Sequence, residues 1–153
     1  FASGGGTGGT LTGGGQVLRL ARPEVKITAT EPAGASLLGG KDWAPHKIQG
    51  WTPDFVPEVL DRTVYDELRP VADDVAIRPA PRLAAEEGLC VGITAGATVA
   101  AALDVAQNAP EGSVLLATLP DTGERYLSTP LFEGVIDGSD DEWLASISHT
   151  GGI

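Results

Sequence analysis

Ser3-Gly4-Gly5-Gly6-Thr7-Gly8-Gly9-Thr10-Leu11-Thr12-Gly13 opens the chain as a run of nearly bare backbone interrupted by hydroxyls. Glycine lets the main chain approach an anion and adopt positive φ. A helix starting just after the run aims its unsatisfied N–H groups and its positive dipole end at the same point. The segment Gly6-Thr7-Gly8-Gly9-Thr10 therefore reads as a phosphate cradle, with Thr7 and Thr10 adding hydroxyl donors. Gly4, Gly6 and Gly9 also satisfy G-x-G-x-x-G, so the loop taken alone equally suits the pyrophosphate of a dinucleotide.

Outward from the loop, residues 10–20 read as a helix weakened by Gly13, Gly14 and Gly15, and residues 25–30 as a strand ending at Glu31-Pro32. Only Phe1, Ala2 and Ser3 precede the glycines, so the expectation is that the fold begins before Phe1. Residues 33–57 are rich in Gly and Pro and form an irregular excursion long enough to suggest a functional role. Residues 67–71 read as a short strand. Residues 73–87 have helical spacing but carry Pro79 and Pro81, which predicts a kink or a fresh start near one of them, where the first helical position tolerates proline. A helix with alanines on its buried face is expected over 98–107. A buried strand (Val114, Leu115, Leu116) is expected over 113–119, then a turn at Pro120-Asp121 and a helix from about Gly123. An amphipathic stretch with Trp143, residues 140–147, is expected to dock on the domain or a neighbouring subunit. Alternating strands and helices give an α/β class, three-layer α-β-α with a mainly parallel sheet.

At 153 residues and 42% hydrophobic content, the chain can bury a core of one domain. Ten basic against 21 acidic residues leave a net charge of -11, which argues against nucleic acid and anionic membranes as partners. The single cysteine, Cys90, sits in the apolar run Gly88-Leu89-Cys90-Val91-Gly92-Ile93. It forms no internal disulfide, and a buried structural thiol in a reducing, cytoplasmic setting is expected. Residues 88–106 are almost uncharged, yet Asp104 and the glycines favour a buried turn and helix over a membrane span. His46 and His149 have no carboxylate or cysteine arranged with them for catalysis or metal binding, so both read as structural or exposed. The carboxylates Asp73-Asp74, Glu86-Glu87 and Asp140-Asp141-Glu142 read as solvated surface, with no metal site.

Three further stretches qualify the glycine loop: Pro45-His46-Lys47-Ile48-Gln49-Gly50, Glu86-Glu87-Gly88-Leu89-Cys90-Val91-Gly92-Ile93-Thr94-Ala95-Gly96-Ala97-Thr98, and Leu119-Pro120-Asp121-Thr122-Gly123-Glu124-Arg125-Tyr126-Leu127-Ser128-Thr129. In this order the four resemble the C-terminal half of a cysteine synthase (O-acetylserine sulfhydrylase), a fold-type-II pyridoxal-phosphate enzyme related to cystathionine β-synthase. The resemblance covers residues 1–134 as a cofactor-binding domain and leaves 135–153 as a C-terminal helix and tail. It implies that Gly6, Thr7, Gly8, Gly9 and Thr10 hold the phosphate of pyridoxal 5'-phosphate and that Thr94 faces the pyridine nitrogen. It implies a loop beside ring and substrate at Gly50 and Trp51, where Trp51-Thr52-Pro53-Asp54 departs from the usual glycines. It gives Asp121 and Thr122 a supporting place near the pyridine edge.

The activity so implied is formation of L-cysteine from O-acetyl-L-serine and sulfide, by a homodimer with serine acetyltransferase as a further partner. The terminal Gly151-Gly152-Ile153 resembles the isoleucine-ended tail of that acetyltransferase. The family's Schiff-base lysine and its substrate-carboxylate loop are expected upstream of Phe1. Lys26, Lys41 and Lys47 do not replace that lysine, so this chain alone is expected to be inactive and a longer parent active. Three alternatives stand beside this reading. They are cystathionine β-synthase-like activity, a non-catalytic remnant acting as a binding module, and an NAD-binding Rossmann domain with Glu31 on the ribose hydroxyl.

Overall fold

β2 (Thr28–Pro32) is the centre of a parallel sheet, flanked by β1 (Ala2–Gly4) and β3 (Glu67–Val71). The computed structural model describes residues 1–133 together with Ser139, Asp141, Glu142 and Ala145. Every residue of β2 is buried, as a strand covered on both faces requires. Ala29 pairs with Leu68 and Thr30 with Arg69, so alternate residues serve opposite faces. One face is covered by α1 (Gly9–Ala21), whose Leu11 joins Ile27, Ala29 and Val64 in a small core with Leu68 against it. Val71, three residues beyond Leu68, faces the other side. There α4 (Ile93–Gln107), backed by α2 (Asp73–Ile77) and α3 (Pro79–Glu87), contributes Ala95, Ala97 and Ala101 to a larger core. This is the three-layer α-β-α arrangement expected from the alternation of elements.

The proline-bearing segment divides as its chemistry demands. α2 ends at Ile77 and α3 opens on Pro79, where the missing N–H would have had no helical partner. α4 begins five residues earlier than the alanine pattern suggested. Its first turn, Ile93-Thr94-Ala95-Gly96, is poor in helix formers, and Gly96 packs so closely on α2 that an added Cβ would meet the Ala76 carbonyl. The strand at the start of the β-α-β unit is displaced likewise, running over Thr28–Pro32 rather than 25–30.

Three expectations are corrected. Residues 113–119 meet the sheet at Ala2 and Ser3 of β1: Ala2 N–H donates to Leu116 O (2.8 Å), its carbonyl accepts from Thr118 N–H (3.1 Å), and the Thr118 hydroxyl reaches Ser3. Val114 is 95% exposed and Leu116 53%, because nothing among the described residues covers that side. The helix expected from Gly123 is instead two short 3-10 turns, Gly123–Tyr126 and Pro130–Phe132, the second opened by a proline that cannot extend a preceding helix. Cys90 is exposed rather than buried, since its segment crosses the surface between α3 and α4. No helix among the described residues is long and apolar enough to cross a membrane. The expectations for Trp143, His149 and the C-terminal tail fall outside the described residues.

α1 carries three consecutive glycines, each costing about 1 kcal/mol relative to alanine in a helix interior. They differ in surroundings. A Cβ at Gly15 would lie 2.7 Å from Val64 Cγ2, whereas at Gly13 nothing lies within 4 Å. Gly13→Ala is therefore expected to raise stability by roughly 1 kcal/mol, and Gly15→Ala to lower it, both read from urea unfolding midpoints.

The strand that enters β2 is tied to the loop before β3 by Asp66. Its carboxylate accepts from Ile27 N–H (2.8 Å) and Arg19 Nη2 (2.9 Å). Burial works to raise its pKa, but these donors outweigh burial and hold the group below the ordinary value of 3.8. The stabilisation is complete above that value and is lost as pH falls through the lower folded-state value. Asp66→Asn should accordingly unfold with a flatter acid limb below about pH 4 than the wild type, measured by circular dichroism across an acid titration.

Candidate functional site

Parallel strands deliver their carboxyl ends to one edge of the sheet, and here that edge opens into a cavity of about 280 Å³. Ser3, Gly4, Gly6, Thr7, Gly8 and Thr10 form one side. Gln49, Gly50 and Trp51 close a second, and Thr94 with Thr118, Pro120, Asp121 and Tyr126 form the third. Four segments far apart in sequence thus meet in one space. Gly9 lies outside the lining as the first residue of α1, and Thr122 is exposed, paired in an isolated bridge with Val91.

The glycine loop leaves β1 and turns into α1 through Gly8, whose φ of 85° is a left-handed conformation that favours glycine. A Cβ at Gly8 would also lie 2.5 Å from Leu60 Cβ, and one at Gly6 2.7 Å from the Gly50 carbonyl. Among the described residues, the N–H groups of Gly6, Thr7, Gly8 and Thr10 find no acceptor, and the Thr10 hydroxyl has no partner. Several free amides, a hydroxyl and a helix N-terminus converging on one point make an anion site that needs no cation. None of the chain's ten basic residues lines the cavity, and neither do Lys26, Lys41 and Lys47 in particular. Lys41 Nζ donates instead to the Ala33 carbonyl (2.9 Å).

Opposite the loop, the first turn of α4 is held by a residue from elsewhere in the chain. Asp121 Oδ2 accepts from Thr94 N–H (3.1 Å) and Oδ1 from Ala95 N–H (2.9 Å), so its carboxylate caps the helix and sits at its positive dipole end. The Tyr126 ring lies beside the same carboxylate. Burial first, then the neighbouring Asp121 carboxylate, push the phenol up to about 12, so it stays protonated at any ordinary pH. Gly92 must lack a side chain here, because a Cβ would collide with both Asp121 and Tyr126. With its N–H engaged, Thr94 has a free hydroxyl on the cavity wall. The cap on α4 was invisible locally, since its donors and acceptor are 26 and 27 residues apart.

Further polar side chains complete the wall. Thr118 Oγ1 donates to Ser3 Oγ (3.0 Å), and Thr30 Oγ1 donates to the Ser3 carbonyl (3.3 Å). The sequence motifs singled out neither Ser3 nor Thr118, and a hydroxyl in so short a strand gave no signal. Trp43, by contrast, lies outside the cavity lining, and its Nε1 donates to the Thr52 carbonyl (3.1 Å). His46 Nε2 lies 3.4 Å from that same oxygen, and no group of His, Cys, Asp and Glu among the described residues is arranged to hold a metal.

Glu31 has a different task from the one a dinucleotide site would give it. Fully buried, its carboxylate accepts the Ser36 hydroxyl and the N–H groups of Leu38 and Gly39 (3.0 Å each). Those donors pin the loop after β2 and leave the group engaged inside the protein. It is not offered to a ribose.

Comparison with known proteins agrees with this geometry. A family model described as pyridoxal-phosphate dependent enzyme matches residues 1–121. The chain is 60% identical over 153 residues to O-ureido-L-serine synthase of Streptomyces lavendulae, covering 100% of this chain and 47% of the relative. It is 42% identical over 132 residues to cysteine synthase of Staphylococcus aureus, covering 86% and 43%. A crystal structure of O-ureido-L-serine synthase matches with a TM-score of 0.85 at 62% identity, over 94% of this chain and 45% of that one. O-acetylserine sulfhydrylase isoform 3 from Entamoeba histolytica gives 0.82 at 36% identity, over 95% and 44%. The chain spans about half the length of the curated relatives it matches. A glycine cradle with free amides at one end of the cavity, a free threonine hydroxyl at the other and a family match over most of the sequence together place this chain in the pyridoxal-phosphate dependent enzyme family.

Proposed function

We propose that this chain supplies one wall of the active site of an enzyme that replaces the acyloxy group of an O-acylated L-serine by an external nucleophile. The observation that carries this is the pairing, across one cavity, of an anion cradle at Gly6–Thr10 with the unengaged hydroxyl of Thr94. Gly6, Thr7, Gly8, Gly9 and Thr10 would hold the cofactor phosphate, and Thr94 would meet the pyridine nitrogen. Pyridoxal phosphate, when bound, supplies an electron-withdrawing ring that acidifies the substrate Cα–H and eases departure of the β-substituent. A neutral hydroxyl at the ring nitrogen tempers that withdrawal, which suits replacement at Cβ. Asp121 does not take that place, because two helix N–H groups already engage its carboxylate.

For the nucleophile, identity of 60% over the whole chain to O-ureido-L-serine synthase favours a ureido product over cysteine. That product follows by replacement if the hydroxyl oxygen of N-hydroxyurea attacks Cβ. Overall, the Cβ–O(acyl) bond breaks and acetate leaves, a Cβ–O bond to the nucleophile takes its place, and the hydroxyl proton is released. With sulfide the same exchange gives L-cysteine and acetate, and the 42% identity to cysteine synthase supports this as the second reading.

The cofactor-loaded protein that carries this chain is expected to convert O-acetyl-L-serine and N-hydroxyurea to O-ureido-L-serine, followed by mass spectrometry of product and by acetate release. Absence of turnover with both N-hydroxyurea and sulfide would overturn the reading. The 153-residue chain by itself is expected to show no turnover, since none of its lysines lines the cavity to bond the cofactor. Asp121→Ala leaves two helix N–H groups without their acceptor and should cost roughly 1–2 kcal/mol of stability. It should also weaken cofactor retention in dialysis, whereas Asp121→Asn, which keeps one acceptor oxygen, should lose less of both.

A further inference from the structure

We infer that the indole N–H of Trp51 is the group by which this site selects a carbonyl-bearing nucleophile over sulfide; the inference rests on the β-replacement reading above. Trp51 is only 6% exposed, yet it lines the cavity between the glycine loop and Thr94. Its ring edge lies directly over Gly4: a Cβ there would collide with Trp51 Cε2, Nε1 and Cζ2, and Trp51 Cδ1 stands 4.0 Å from the position of a Cβ on Gly6. Among the described residues Nε1 has no acceptor. It also keeps some solvent contact, unlike the sealed, unpaired atoms His46 Nδ1 and Thr52 Oγ1. A nearly buried tryptophan normally finds a partner for its N–H within the protein. The acceptor for this one comes from solvent or from whatever enters the cavity and displaces it.

The surroundings hold the ring in place. Thr52, the next residue, has a φ of 42°, the only positive value at a non-glycine position among the described residues. A β-branched residue resists that conformation, and it persists because its neighbours over-determine it. Thr52 N–H donates to the Gly5 carbonyl (3.0 Å), and its own carbonyl receives Trp43 Nε1 (3.1 Å). Ile48, fully buried, anchors the loop from the other side. The donor is thus pre-positioned, and Gly4 is a glycine because the ring occupies the space of a side chain.

Of the two nucleophiles, only N-hydroxyurea brings a carbonyl oxygen. Sulfide offers nothing comparable to an N–H donor, so removal of that donor acts on one reaction and much less on the other. A site built to hydrogen-bond one substrate discriminates through that bond, and a neutral bond contributes up to about tenfold in rate or affinity.

The test uses the cofactor-loaded, full-length protein with O-acetyl-L-serine and each nucleophile. Trp51→Phe keeps a ring in place, and β-(3-benzothienyl)alanine at the same position keeps the full shape without the N–H. Both should lower the kcat/KM ratio of N-hydroxyurea to sulfide by about tenfold and raise the Kd for N-hydroxyurea, read by calorimetry, to a similar extent. An unchanged ratio and Kd in the benzothienyl protein would overturn the inference, whatever the phenylalanine variant does. Wild-type turnover with sulfide alone would overturn it while leaving the β-replacement reading intact. Turnover with neither would remove both.

Discussion

The carboxylate of Asp121 is where the candidate site is tied together. It reaches back 26 and 27 residues to take the first-turn N–H groups of α4, and it lies beside the Tyr126 ring of the turn that follows it. Helix start, cavity wall and the segment leaving the sheet edge are therefore one unit. A helix N-terminus without such an acceptor would face the cavity with free donors and a positive field. With the cap, α4 presents a hydroxyl there instead. One end of the cavity is thus neutral and the other, at the glycine loop, is rich in free donors.

That polarity explains how a chain of net charge -11 can belong to a family that uses a phosphorylated cofactor. Lysine and arginine are absent from the cavity wall, and the unpaired donors at the glycine loop are main-chain amides and a threonine hydroxyl. Such donors are fixed by the fold and hold their orientation with no side-chain entropy to lose, in contrast to long flexible cations. The same economy of side chains explains the close approaches: Trp51 over Gly4, the Gly50 carbonyl beside Gly6, Leu60 against Gly8. Glycine leaves the amides bare and permits the close packing at once.

Much of the plan was legible in the chain itself. The parallel β-α-β start, the break before Pro79 and the glycine turn into α1 all follow from short-range chemistry, since glycine, proline and alternation act within a few residues. Residues 113–119 misled because an apolar run is the same whether both of its faces are covered or only one. Here only the start of β1, Ala2 and Ser3, is hydrogen-bonded to it among the described residues. The start of α4 misled because its capping acceptor is remote. Cys90 misled in the same sense, an apolar context in sequence becoming a surface crossing in space. Glu31 shows the converse. Its spacing after the glycines suited a ribose, yet its partners Ser36, Leu38 and Gly39 turn it inward.

By itself, the sequence determined that the chain is α/β, that a glycine-rich turn precedes its first helix, and that the ordered motifs resemble one cofactor family. These properties reside in residue type and near spacing. Only the tertiary structure decided that Thr94 keeps a free hydroxyl, that Asp121 is consumed as a helix cap, and that the Trp51 indole lies over Gly4 with its N–H unpaired. Each depends on which distant group fills or leaves open a particular few ångströms, and that is set by packing between elements and not by any local preference of the chain.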